Sequence, residues 1–346
     1  MSAPSEPQHH SLAVTDNGLS SAVSLLMRSL PYAMARFGIM LGAAIAGIVW
    51  LVVAFGGSSW LAAHIAGVFG LVWLIGCLIV AGWIWRTLLR YMLHLLECGH
   101  VAVLTELIIR GTVSNGQESM LEYGKRIVIA RFGEVNALFA LNMLVRGVLN
   151  AFHRTLDWIA EALPIPDLDS VARLATTILS AATRYMDKVI FSYNLAYAEN
   201  PWEGARDGIV YYAQNAKPIL KTSIWIVVLE MVLSGVTWLV LLVPAAAITV
   251  LLPQAARETG GLVTIIIALL FAWAARAAFI KPLFLIMIMT RFHTAIENQP
   301  LNTAWVAELD RISSQFRDLG QKAQDFAAGT FHQPAAPAAP SQYPAT

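Results

Sequence analysis

Three ionisable side chains fall inside long apolar runs: Glu230 within residues 222–252, and Arg276 and Lys281 in the run that begins at Leu262. A charge at bilayer depth costs about 3 kcal/mol on insertion scales, so such groups mark a route for ions or substrates, or neutralise each other. Glu230 lies ~13 Å of helical rise beyond Lys221, well inside its run. Two readings follow. In one, Glu230 draws a small organic cation into the protein. In the other, Glu230 and Arg276, on adjacent arms of one hairpin, are a structural ion pair, while Lys281 snorkels to an interface. Tyr211, Tyr212, Trp225, Trp238 and Trp273 lie in the same stretch and offer aromatic faces for a quaternary ammonium group. The same residue types also serve as packing and as interfacial anchors.

A second cluster invites a metal. His94 and Cys98 are four apart and share a helical face, as two ligands would. His100 points about 120° from Cys98 at the helical period, and no second ligand group stands nearby. An interfacial polar stripe with a thiol beside it explains the cluster without a metal. Nucleophile elbows, zinc-protease helices and phosphate-binding loops are absent. The expectation is therefore no catalytic residue, no metal and no cofactor. Two cysteines, Cys77 and Cys98, make no disulfide framework.

The elements that would position these groups are mostly membrane helices. The chain is 57% hydrophobic and only 13% charged, and its net charge of +1 gives no nucleic-acid footprint. Residues 37–55 and 60–85 flank Gly56-Gly57-Ser58-Ser59, and residues 222–252 and 262–280 flank a gap carrying Arg257 and Glu258. Runs of roughly 20 apolar residues span the hydrocarbon core, so the lipid bilayer is the first partner. The fold class is all-α: a polytopic integral membrane bundle with four to six spans plus amphipathic helices.

The remaining segments divide around the hairpins. Residues 1–21 read as a disordered tail and 22–36 as an amphipathic pre-helix, followed by a first transmembrane hairpin over 37–85. A charged central segment, 86–221, precedes the second hairpin, 222–290. Residues 291–328 carry an amphipathic helix from Ala304 to Ala328, and 329–346 a disordered Pro/Ala-rich tail. Within the centre, 127–149 holds Arg131, Glu134 and Arg146, and 171–198 holds Arg173, Arg184, Asp187 and Lys188, so each is a reluctant span. Asn200-Pro201-Trp202-Glu203 is a helix start, with Asn as cap and Pro at the first position. Pro218 is expected to close or kink that helix. Arg28, Arg36, Arg86, Arg90, Lys217, Lys221 and Arg291 flank the hairpins, which places both termini in the cytoplasm of a cell by the positive-inside rule.

The stretch 185–223, YMDKVIFSYNLAYAENPWEGARDGIVYYAQNAKPILKTS, resembles the part of choline transporter-like proteins where a helix rich in Asn, Ala and Tyr leads through a break to a helix before a long span. Residues 279–297, FIKPLFLIMIMTRFHTAIE, resemble that family's last membrane helix. The chain departs from the pattern at Ala198-Glu199, where glycine is usual, and at Lys281, where an acidic residue is expected. The resemblance implies a transporter or channel-like protein of the inner or plasma membrane acting on a small organic cation such as choline. Its pathway would use Glu230, Arg276, Lys281, Trp238, Trp273, Tyr211 and Tyr212. A rival expectation is a non-transporting membrane scaffold whose amphipathic faces dock partner proteins or further copies of the chain.

Overall fold

The computed structural model describes residues 12–131, 135–153, 185–251 and 253–329. Among these, every regular element is helical, and four helices are long and apolar enough to cross a membrane: Leu30–His64, Gly67–Arg110, Ala216–Leu251 and Gly260–Ile296. The protein is thus an all-α, membrane-embedded bundle. In chain order the helices are α1 (Leu19–Arg28), α2 (Leu30–His64), α3 (Gly67–Ile84), α4 (Arg90–Arg110), α5 (Met120–Arg131), α6 (Val135–His153), α7 (through residues 185–197), α8 (Pro201–Gln214), α9 (Ala216–Leu251), α10 (Gln254–Ala275), α11 (Lys281–Ile296), α12 (Thr303–Ile312) and α13 (Ser314–Ala327). Two π-helical turns, Trp85–Leu89 and Arg276–Ile280, join α3 to α4 and α10 to α11.

The chain folds into two compact units. One, the apolar unit, comprises Leu30–Glu97 and Met231–Pro282. The other, the polar unit, takes the described residues of Met1–Ser29, Cys98–Glu230 and Leu283–Thr346.

In the apolar unit the first expected turn moves. Gly56-Gly57-Ser58-Ser59 lies inside α2, and the chain reverses at Ile65 and Ala66, whose amides both bond to the Leu61 carbonyl (2.9 and 3.2 Å). The small residues serve helix packing instead. A Cβ on Gly57 would sit 2.4 Å from Trp73 Nε1, and one on Gly70 would sit 2.5 Å from the Ser58 carbonyl. Without a hydrophobic drive in lipid, close backbone approach at small residues supplies the attraction. The late turn falls at Pro253, at the start of the expected gap, and Arg257 and Glu258 lie inside α10. Met40, Ala274 and Ala277 form a small buried centre packed by Phe37, Leu93 and Trp273. Phe37 meets Phe271 edge-on at 5.1 Å, and Arg36 pairs with Glu97 at 3.4 Å.

The polar unit corrects four further expectations. Part of the N-terminal tail is fixed: the Ala13 and Val14 amides donate to the Ile109 and Ile108 carbonyls at 3.0 and 3.1 Å. Gly111, at φ +75°, donates back to Leu107, and Arg28 donates to the Gly111 carbonyl. Carbonyls that α4 would leave bare at its C-terminus thus find donors. The pre-helix is broken at Ser29, whose hydroxyl donates to Leu26 (3.3 Å) and accepts from His100 Nε2 (3.0 Å). Pro218 sits in the first turn of α9, where its missing N–H costs nothing, after a one-residue break at Asn215. The single amphipathic helix expected after the last span is two, because the Ser313 hydroxyl caps α13 by accepting from the Phe316 amide at 3.3 Å.

Of the two reluctant spans, residues 127–149 split between α5 and α6, and neither helix is among the four long apolar ones. Residues 171–184 of the other lie outside the described residues, as do residues 1–11 and 330–346 of the two tails. The cap at Asn200 forms as the local pattern predicts, its side chain accepting from Trp202 (3.0 Å) and Glu203 (3.4 Å).

Candidate functional site

Helix α7 organises the polar unit. Its side chains at 185, 186, 189, 190, 191, 192 and 194 are all buried, so it is covered on several faces. A helix buried all round must give each polar side chain a partner within the protein. The Tyr185 hydroxyl donates to Glu230 Oε2 at 3.1 Å, both groups being buried. Asp187, 4% exposed, accepts from Arg146 Nη2 (2.6 Å) and Nε (2.8 Å), with Lys188 Nζ at 3.6 Å from its other oxygen. This is a buried carboxylate held by charge-assisted bonds.

A longer chain of bonds crosses α7 one turn further on. Thr105 Oγ1 donates to the Val101 carbonyl at 2.7 Å, so it accepts from Ser192 Oγ, also at 2.7 Å. Ser192 Oγ, its proton committed, accepts from His293 Nε2 at 2.8 Å. That tautomer leaves Nδ1 as an acceptor for the Tyr197 hydroxyl at 3.4 Å. Ser192 and His293 have the spacing of a nucleophile and its base, but the serine proton points at Thr105 and both residues are wholly buried. The arrangement locks α4, α7 and α11 together.

Beside it the rings of Tyr193, Tyr197 and Tyr211 make a tilted cluster, with centroids 5.1 Å (193–197) and 5.4 Å (193–211) apart. Burial, then Asp207, pushes the Tyr193 and Tyr211 phenols up. Burial, then Glu297, takes Tyr197 to about 12. Asp207 is itself raised to about 6 by burial and then Glu203, against an opposing pull from Arg206.

The residues singled out from sequence divide between the units. Glu230, Tyr211 and Tyr212 belong to the polar unit; Trp238, Trp273, Arg276 and Lys281 belong to the apolar one. Tyr211 joins the tyrosine cluster and donates to the Gln299 carbonyl at 3.0 Å. Tyr212 is fully buried edge-on to Phe152 at 5.9 Å. Trp273 packs near Trp85 at 6.1 Å, and Arg276 opens the second π turn, with Lys281 directly after it. Trp225 is 75% exposed.

Sequence reasoning passed over Tyr185, Ser192, Tyr193, Tyr197 and His293. The available signal was the recurrence of polar residues at 185, 188 and 192, at helical spacing, on a helix too apolar to face water. Among the described residues no three His, Cys, Asp or Glu side chains gather as metal ligands would. No family model, no curated protein and no solved structure matches the chain.

Proposed function

We propose that this chain is a multi-pass transporter of the inner or plasma membrane for a small organic cation of the choline type, with both termini in the cytoplasm. The observation that carries the reading is Glu230: a carboxylate only 5% exposed, set in one of the four long apolar helices and oriented by the Tyr185 hydroxyl. Ionisable groups at that position are costly, and use in a substrate route is a reason to keep one. The Tyr193, Tyr197 and Tyr211 faces belong to the same unit and would receive a cation that the carboxylate attracts. The basic residues flanking the hairpins support the orientation. No step of covalent chemistry is part of this role.

The scaffold reading has less support. It docks partners on the amphipathic surfaces of residues 86–110 and 304–328, and on the second of these Leu309, Phe316 and Leu319 are fully buried. Trp305 packs on Phe152 at 5.7 Å, and Asn200 Nδ2 donates to the Ala323 carbonyl at 3.0 Å. These helices complete the polar unit.

Uptake of radiolabelled choline into proteoliposomes tests the proposal. Wild-type protein should exceed empty liposomes, and Glu230→Gln should fall to their level while remaining folded. Wild-type uptake indistinguishable from empty liposomes sinks the reading.

A further inference from the structure

A small cavity lies in the polar unit among α4, α5 and α7. Its volume is about 80 Å³, whereas drug-sized pockets run from roughly 300 to 1,000 Å³. Its occupant therefore has few heavy atoms. Two charged side chains line it, and they are not equivalent: Glu106 is 16% exposed and Arg110 70%. They pair at 2.9 Å one helical turn apart, an arrangement that is weak when one partner stands in water. The charge turned inward is the carboxylate.

Two further acceptors share the cavity lining. The Tyr123 phenol is one; burial, and then the neighbouring Glu106 carboxylate, push its pKa up. Thr105 Oγ1, which donates to Val101 and accepts from Ser192, retains one lone pair. Apolar Ile127 and Leu195 contribute to the walls. A carboxylate, two hydroxyl oxygens and short aliphatic walls complement a cation that carries several N–H donors on a small alkyl group. A quaternary ammonium offers no such donors, and a carboxylate ligand would meet Glu106.

We propose that this cavity binds a small primary ammonium ion, of the size of methylammonium or ethanolamine, with Glu106 as counter-ion and Tyr123 and Thr105 as further acceptors. The site is separate from Glu230 and its occupancy needs no transport, so it stands or falls apart from the function proposed above.

Titration calorimetry on the full chain in detergent micelles, with methylammonium chloride as probe, tests it. Saturable binding is expected, weakened at least tenfold by Glu106→Gln. Sodium acetate should give no saturable heat, and tetramethylammonium should not displace bound methylammonium. Ala196→Phe, which fills the cavity from its apolar side and leaves the charges in place, should abolish binding. The proposal is overturned if methylammonium fails to bind, if tetramethylammonium displaces it, if acetate binds as well, or if Glu106→Gln or Ala196→Phe binds like wild type.

Discussion

The two units solve opposite solvent problems with similar helices. In the apolar unit large side chains turn outward: Val52 is 68% exposed, Ile79 66% and Leu251 82%. Lipid is the solvent those residues require, and the unit holds together through small-residue contacts and a few rings. The polar unit buries Asp187, Ser192, Asn194 and His293 almost completely. Their hydrogen bonds tie α4, α6, α7, α8 and α11 to one another, so its specificity comes from matched polar partners. The contrast teaches where chemistry can reside. A helix facing lipid has no acceptor to offer a ligand, whereas the polar unit concentrates acceptors and rings.

The sharpest way to break this contrast is to delete bulk from each unit. Phe152, 1% exposed and edge-on to Tyr212 and Trp305, should cost about 3–5 kcal/mol when replaced by Ala. Leu251→Ala, at a position 82% exposed, should stay within about 0.5 kcal/mol. Denaturant unfolding in micelles reads both, and equal losses would erase the distinction.

Charge sharpens it next. Ile79→Lys places an ammonium on a lipid-facing helix and should cost about 3 kcal/mol of insertion. Leu121→Lys in α5, outside the four long apolar helices and 41% exposed, should insert like wild type. Glycosylation mapping in microsomes measures the inserted fraction, and a lysine tolerated equally at both positions would contradict a lipid-facing α3.

The smallest effect is on pH. Asp207 titrates near 6 when folded, against 3.8 for the ordinary side chain. The folded protein therefore holds more protons than the unfolded chain between those values. Stability should be greatest below about pH 4, fall as pH rises through 6, and level off above. Asp207→Asn should remove that slope and add ~1–2 kcal/mol at pH 7, allowing for the group's partial exposure. Thermal unfolding across pH 4–8 checks the sign; an unchanged slope in the variant would assign it elsewhere.

What was legible in the sequence follows the range of the interaction. The four spans are local runs of apolar residues, and the Asn200 cap is decided within three residues, so both could be read directly. The turn at Gly56–Ser59 was misread because the same small residues that break a helix in water let two helices touch in lipid. The bond network was beyond reach for another reason. Thr105 and Ser192 are 87 residues apart and Ser192 and His293 101, so no local pattern joins them. Depth flagged Glu230, but nothing near it in the chain pointed to Tyr185.

The fixed N-terminal segment bears on how the protein is made. The polar unit is assembled from stretches that lie before, between and after the two hairpins. Ala13 and Val14 bond to the end of α4, and the Thr294 hydroxyl reaches the Thr15 carbonyl at 3.4 Å. A ribosome delivers residue 294 only after both hairpins have emerged. Membrane insertion therefore precedes closure of the polar unit, and its earliest residues wait for nearly the whole chain before their last partner arrives.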